Sequence, residues 1–218
     1  MRLQSAIFDM DGTLLDSMFM WKSLGPYLLG HFGIQADPAL QEKLKPMTLR
    51  QGAAYCREAY HLEPSLEELI ALLEKRVDTF YRSEVQAKPG VVRFLSLLKM
   101  EGVWMYVATA TDRPLAEAAL RHAGIDGYFR GIITSGEVGI GKESPEIFER
   151  AMRRLQSNKK DLVIFEDSLH AIRTAKNAGF RVVGVYDDAS ADEQEEIRQL
   201  SDTYIRSFEE MFETTTLE

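Results

Sequence analysis

Residues 3–13 read Leu3-Gln-Ser-Ala-Ile-Phe-Asp-Met-Asp-Gly-Thr13, and the interpretation of the whole chain starts from this stretch. The apolar run 3–8 is typical of a buried parallel strand. In an extended strand end, residues two apart point the same way, so Asp9 and Asp11 should face one site. Gly12 permits the tight turn that follows. The alternative is an ordinary Asp-Gly turn with Asp9 as a solvated cap, and the complete motif directly after an apolar strand argues against it.

Further apolar runs at 103–108, 162–165 and 181–185, and a weaker one at 131–134, also favour buried strands. A helix-like segment follows each run, with starts marked by Pro89-Gly90, Arg113-Pro114, Ser144-Pro145 and Ser168. Capping boxes of the form Ser-x-x-Glu occur at Ser65/Glu68, Ser190/Glu193 and Ser207/Glu210. The alternation of strand and helix predicts an α/β fold with a Rossmann-like, doubly wound parallel sheet as its core.

One long segment, residues 17–86, interrupts this alternation. It has helical periodicity, for example at Leu66, Leu69, Leu73 and Val77, and no convincing strand. We therefore expect an all-helical cap domain at 17–86, inserted into an α/β core domain made of residues 1–16 and 87–218. Because the insert follows the first strand, it should lie above the carboxyl edge of the sheet.

The composition restricts the possible partners. The 218 residues include 26 Lys and Arg against 34 Asp and Glu, and the formal charge of −8 argues against a general attraction to nucleic acid or to anionic membranes. No apolar run approaches the roughly 20 residues that span a bilayer, and the first residues lack the features of a signal peptide. We expect a cytoplasmic protein. The single cysteine, Cys56, excludes an internal disulfide.

The residues that follow the predicted strands are unusually polar. Asp9-Met-Asp-Gly-Thr13 follows the first run, Thr109-Ala110-Thr111-Asp112 the second and Glu166-Asp167-Ser168 a later one. Ligands of open α/β sheets bind beyond the carboxyl ends of the strands, so four carboxylates should converge there. Such a group is repulsive unless it binds a hard divalent cation, and oxygen ligands suit Mg²⁺.

Together with Lys142, these motifs resemble the four motifs of the haloacid dehalogenase superfamily over nearly the whole chain. The helical insert is similar to the cap of the subclass that includes β-phosphoglucomutases and phosphoglycolate phosphatases. The resemblance implies a Mg²⁺-dependent phosphatase in which Asp9 attacks the phosphorus of a small phosphomonoester. Asp11 would protonate the leaving oxygen and then activate the water that hydrolyses the aspartyl phosphate.

The resemblance also assigns the remaining roles. Thr109, Ala110 and Thr111 would bind the phosphoryl oxygens, through hydroxyls and backbone N–H groups, and Lys142 would be the fixed cation that balances the nucleophile. Asp9, Glu166, Asp167 and the backbone carbonyl of Asp11 would hold Mg²⁺. Three alternatives stay open: Thr111 or Asp112 could serve only as the N-cap before Pro114, Asp167 could be an N-cap, and Lys142 could be a solvated surface lysine. The family pattern usually has proline where this chain has Glu143.

Parts of the sequence also resemble those of proteins with other functions. Residues 136–142 nearly match the sequence motif of a nucleotide-binding P-loop, but Glu143 occupies the position at which that motif requires Ser or Thr. A phosphomutase would use the same residues as a phosphatase and differ mainly in excluding water. A non-catalytic binding or regulatory module with this fold would not need the complete motif set. The expected partner is a small phosphorylated metabolite, with Arg50 of the insert as the candidate cap residue that reaches it.

Overall fold

The computed structural model describes residues 3–44 and 47–213, and the chain divides into two compact units. One unit comprises Met1–Ser17 with Val85–Glu218, and the other is Met18–Glu84. The expected insert, 17–86, differs from the second unit by one residue at its start and two at its end.

The first unit contains a parallel sheet that has six strands among the described residues, in the order β5-β4-β1-β6-β7-β8. Its strands are β1 (Ser5–Phe8), β4 (Trp104–Thr109), β5 (Ile132–Thr134), β6 (Leu162–Glu166), β7 (Arg181–Val185) and β8 (Thr203–Ile205), and β2 (Leu15–Asp16) and β3 (Gln86–Ala87) form a separate antiparallel pair. The chain moves outward from β1 through β4 to β5 and then crosses back to β6 on the other side of β1. This reversal creates the crevice beside β1 in which such sheets bind ligands.

All five predicted strands are present, so the predicted doubly wound sheet is confirmed. The sixth strand, β8, was missed because it is a three-residue edge strand in which only Ile205 is buried. The β2–β3 pair was missed because two residues are too few to show a periodic pattern.

The helices of the first unit flank this sheet: α5 (Val91–Met100), α6 (Arg113–His122), α7 (Ser135–Val138), α8 (Glu146–Arg154), α9 (Leu169–Asn177), α10 (Gln194–Leu200) and α11 (Glu210–Glu213). The predicted starts of α5, α6, α8 and α9 lie at the expected prolines and at Ser168. The predicted capping box at Ser190 is wrong, because Ser190 lies inside a 3₁₀ helix and α10 begins only at Gln194. At Ser207 half of the predicted box is present, because Glu210 Oε1 accepts from the N–H of Ser207 at 3.2 Å, whereas the Ser207 hydroxyl accepts from the N–H of Glu209 instead of that of Glu210.

The two faces of β1 belong to different parts of the core, as the alternation of a strand requires. Ile7 packs into the cluster that contains Ile147 and Phe148 of α8. On the opposite face, Phe8 stacks on Phe165 with ring centroids 4.5 Å apart and an interplanar angle of 11°. Phe94 of α5 completes this aromatic group, with its ring centroid 5.5 Å from that of Phe165. Both faces are therefore buried, which explains why the strands have continuous apolar sequences.

The second unit is helical in its described part, with α1 (Met18–His31), α2 (Leu40–Leu44), α3 (Leu49–Ala59) and α4 (Leu66–Ser83). Helix α4 buries the periodic positions Leu69, Leu73, Val77 and Phe80, and the capping box predicted at its start is present between Ser65 and Glu68. Among the described residues, no helix has both the length and the apolar character needed to cross a membrane.

The aromatic group gives a test of this packing. Phe94→Ala should lower the free energy of unfolding by about 3–5 kcal/mol, because it leaves a cavity among Phe8, Phe165 and Phe208. Met100→Ala, on the same helix at a position that is 76% exposed, should change it by less than about 0.5 kcal/mol. Urea denaturation followed by circular dichroism measures both, and equal losses in the two variants would contradict the packing described.

Candidate active site

The candidate site lies at the carboxyl ends of β1, β4 and β6. Phe8 is in register with Val107 of β4 on one side and with Phe165 of β6 on the other. The backbone N–H of Asp9 donates to the carbonyl of Phe165 at 2.9 Å, so Asp9 lies beside Glu166, the last residue of β6. The sheet register therefore brings the first and last motifs of the sequence together.

The segment after Asp9 folds into a tight, self-bonded turn. The N–H groups of Leu14 and Leu15 both donate to the carbonyl of Met10, at 3.0 and 2.9 Å, and the N–H of Gly12 donates to the carbonyl of Leu15 at 3.0 Å. Gly12 has φ +81°, in the region where side chains are strained. A Cβ atom there would also lie 2.8 Å from Cγ of Asp167. Glycine is thus required for both backbone conformation and space.

Three buried carboxylates converge beside this turn. Asp9, Glu166 and Asp167 each offer an oxygen within 4.8 Å of the others, and their residues are 6%, 0% and 3% exposed. Burial raises the pKa of Asp9 to about 7, although the charge of Lys142 opposes the shift. Burial, followed by the charges of Glu166 and Asp9, raises the pKa of Asp167 well above its usual range. The group is therefore costly to ionise without a compensating cation.

Lys142 supplies one positive charge to the group. Its ammonium contacts Asp9 Oδ1 and donates to Glu166 Oε1 at 2.7 Å. Burial alone would lower the pKa of Lys142, but the charges of Asp9 and Glu166 outweigh burial and raise it. Lys142 is only 6% exposed, so the alternative of a solvated surface lysine is wrong.

The remaining charge of the group fits a divalent metal ion. Three ionised carboxylates and one ammonium leave a surplus of two negative charges. All the side-chain ligands on offer are oxygens, the donor type that hard cations prefer. The outer contacts also orient the ligands, because Thr13 Oγ1 donates to Asp167 Oδ1 at 2.8 Å and the N–H of Ser168 donates to Glu166 Oε2 at 2.8 Å. A divalent cation therefore fits the residues present.

Asp11 has a different environment from the other three carboxylates. Ser17 Oγ donates to its Oδ1 and Thr111 Oγ1 to its Oδ2, both at 2.7 Å. The expected convergence of four carboxylate groups is thus observed for three of them, and the carboxylate of Asp11 is not part of that group. Two hydroxyl donors fix its orientation. Ser17 was not predicted as a site residue, because its only signal was its place six residues beyond Asp11.

The threonine segment after β4 differs in part from the prediction. Thr111 uses its hydroxyl on Asp11, so it is not simply an N-cap, and α6 has Asp112 at its N-cap position. Thr109 is buried, and its hydroxyl accepts from the N–H of Thr111 at 3.0 Å. A hydroxyl that accepts such a bond can still donate its own proton. Ala110, between them, is exposed.

Arg50 belongs to the helical unit, on α3. Its guanidinium donates to Glu67 at 2.9 Å, and its side chain is 63% exposed. Its expected contact with substrate stays a prediction.

Residues 6–185 match the family model of the haloacid dehalogenase-like hydrolases. The chain belongs to this family. A phosphorylated carbohydrates phosphatase of Thermotoga maritima is 27% identical to it over 184 residues, which cover 84% of this chain and 85% of the relative. The fructose-1-phosphate phosphatase of Escherichia coli is 28% identical over 195 residues, with coverages of 84% and 97%.

A solved structure extends the comparison to the fold. A crystal structure from Thermotoga maritima, described as a candidate β-phosphoglucomutase, has a TM-score of 0.85 to this haloacid dehalogenase-like hydrolase. The match covers 98% of this chain and 100% of that chain, and at 24% identity it establishes a shared fold.

The close approach of Gly12 to Asp167 gives a test of the metal site. Gly12→Ala should weaken binding of a divalent cation by about 10- to 100-fold, because the new methyl group would displace the Asp167 carboxylate from the group that a cation would contact. Gly124→Ala is the matched control, since Gly124 also has a positive φ, +70°, but a Cβ atom there meets nothing within 4 Å. Isothermal titration calorimetry with Mg²⁺ measures both, and an unchanged affinity in the Gly12 variant would contradict this placement of the metal.

Proposed function

We propose that this protein is a Mg²⁺-dependent phosphatase that hydrolyses small phosphomonoesters through a phosphoryl group carried on Asp9. The observation that carries the proposal is the different treatment of two neighbouring aspartates. Asp9 is buried against Lys142 in the carboxylate group, whereas Asp11 is held by two hydroxyl donors outside that group. One environment suits a nucleophile beside a cation, and the other suits a group that exchanges protons.

The reaction would proceed in two steps. Asp9 attacks the phosphorus and the ester P–O bond breaks, while Asp11 gives its proton to the leaving oxygen. Asp11 then accepts a proton from a water molecule that attacks the phosphorus, which frees inorganic phosphate and regenerates Asp9. Ser17 and Thr111 keep the Asp11 carboxyl group in one orientation for both transfers.

The other residues would neutralise the negative charge of Asp9 and of the phosphoryl group, or bind the groups that carry charge. Lys142 neutralises Asp9 before attack and the phosphoryl oxygens during transfer, and Thr109, with the backbone around Ala110 and Thr111, would bind those oxygens. Mg²⁺ would be held by Asp9, Glu166, Asp167 and the carbonyl of Asp11. When bound, it supplies positive charge that stabilises the ionised ligands and the transferring group.

The substrate class follows from charge and from the relatives. Two of its relatives, described above, are named for phosphorylated carbohydrates and for fructose 1-phosphate. We infer a small phosphorylated metabolite as partner, rather than nucleic acid or a membrane, in keeping with the net charge of −8, and we propose the cytoplasm as its location.

The helical unit is proposed to act as a cap domain that closes over bound substrate, with core and cap divided at residues 16/17 and 86/87. The chain enters and leaves this unit through β2 and β3, which pair antiparallel as Leu15 with Ala87 and Asp16 with Gln86. Hinges would lie next to this pair, and Arg50 would contact the substrate from the cap.

A phosphomutase is the second candidate, because the structural neighbour is described as a candidate β-phosphoglucomutase and the same residues would serve it. The products separate the two reactions. A phosphatase releases inorganic phosphate in step with ester loss, whereas a mutase returns the phosphoryl group to a sugar. Absence of turnover with every phosphomonoester and sugar phosphate would instead favour a non-catalytic module.

Metal dependence is the first test. Activity on an aryl phosphate should be lost in excess EDTA and restored by Mg²⁺, because the carboxylate group has a surplus of negative charge without a cation. Phosphate release is measured at fixed ionic strength. Full turnover in excess EDTA would contradict the assignment of a metal ion to this site.

The roles of the two aspartates give a second test. Asp9→Asn should be inactive and form no covalent intermediate. In Asp11→Asn, the rate of the second step should fall by about 10²–10⁴-fold. An aryl phosphate, whose leaving group needs little protonation, should still phosphorylate Asp9 in this variant. Intact-mass analysis after acid quench should therefore find one added phosphoryl group on the Asp11 variant alone.

Asp126→Asn is the control for this pair, since Asp126 lies in a 3₁₀ helix after α6. It should keep the wild-type rate. A phosphorylated Asp9→Asn protein, or an Asp11→Asn enzyme with the wild-type rate, would show that the roles are assigned wrongly.

A further inference from the structure

Lys88 has an unusual set of partners for a lysine outside the carboxylate group. Its ammonium donates to the carbonyl of Gly12 at 2.7 Å, to the carbonyl of Tyr186 at 2.6 Å and to Asp187 Oδ2 at 3.0 Å. The side chain is only 13% exposed and that of Asp187 only 7%. Lys88 thus joins the turn after Asp11 to the segment that follows β7.

The backbone of Lys88 strengthens the same connection. Its N–H donates to the carbonyl of Leu14 at 2.9 Å, directly beside the β2–β3 pair. Asp187 is fixed from the other side, because its Oδ1 accepts from the N–H of Ala189 at 2.8 Å. The ammonium that donates to the Gly12 carbonyl is therefore fixed in place, because the backbone of Lys88 is bonded to Leu14 and its partner Asp187 is bonded to Ala189.

From these contacts we propose that Lys88 is a positioning residue for the proposed phosphoryl transfer. An ammonium has three N–H donors, and all three of Lys88 are used on protein oxygens. It has none left for a substrate, so it acts through the peptide that follows Asp11. By fixing the Gly12 carbonyl it sets where the backbone turns between Asp11 and Thr13, and therefore where the Asp11 carboxyl group lies.

Arginine cannot replace Lys88, because a planar guanidinium does not direct three donors toward three oxygens around one point. Methionine keeps the length of the side chain without donors. Lys88→Met would also leave the buried Asp187 carboxylate with one partner fewer, which by itself lowers stability. The double variant Lys88→Met/Asp187→Asn removes that unpaired charge, and so separates a loss of stability from a loss of positioning.

The inference rests on the proposed function, and kinetics test it. In the double variant, kcat for an aryl phosphate with Mg²⁺ should fall by about 10- to 100-fold, as for a misplaced catalytic group, while the inhibition constant of inorganic phosphate changes by less than about threefold. Its Tm should recover toward the wild-type value relative to Lys88→Met. The control is Lys176→Met, which removes another lysine bonded to an aspartate, Asp202, and should keep the wild-type kcat.

A second readout needs no turnover. Hydrogen exchange of a peptide spanning residues 9–17 should be faster in the double variant than in wild type or in Lys176→Met. If wild type hydrolyses no phosphomonoester, the proposed function fails, and this exchange still tests whether Lys88 holds the turn. Two results would overturn the proposal: hydrogen exchange in the double variant that is the same as in wild type, or a double variant in which adding Asp187→Asn to Lys88→Met restores both Tm and kcat. Either result would mean that Lys88 only neutralises Asp187.

Discussion

The structure depends above all on the crowding of like charges at the end of β1. Asp9, Glu166 and Asp167 are buried within a few ångströms of one another, where carboxylates repel strongly and water cannot screen them. Lys142 offsets only part of this repulsion. The neighbouring polar contacts can be understood as responses to it, because each carboxylate of this group accepts hydrogen bonds from a hydroxyl, an N–H or an ammonium. The same imbalance that makes the fold costly also creates its affinity for a cation.

The sheet brings these carboxylates together by placing them at the ends of adjacent strands. β1 lies between β4 and β6, and Phe8 of β1 stacks on Phe165, its register partner in β6. The charged residues follow directly where the apolar ones end. The residues that stabilise the core and the residues of the candidate site are therefore neighbours on the same strands. The change from one kind to the other occurs from one residue to the next.

Much of this could be predicted from the sequence, because buried strands and the polar residues after them have distinct patterns. The five principal strands and the grouping of Asp9 with Glu166 and Asp167 were of this kind. Contacts between segments that share no pattern were not predictable: the bonds from Ser17 and Thr111 to Asp11 depend on how the turn folds. The error at Ser190 has a local cause, since a capping box specifies hydrogen bonds but not which type of helix follows.

The pairing of β2 with β3 has a consequence for how this chain could have acquired its helical unit. Leu15 and Ala87 are 72 positions apart in sequence yet directly paired, so the sheet unit meets everything between them as though it were the loop of one hairpin. Closing a longer loop costs only slightly more entropy than closing a shorter one. The architecture is therefore modular at this point: segments of very different size could be exchanged there while the sheet keeps its register, which leaves specificity free to diverge around an unchanged chemical centre.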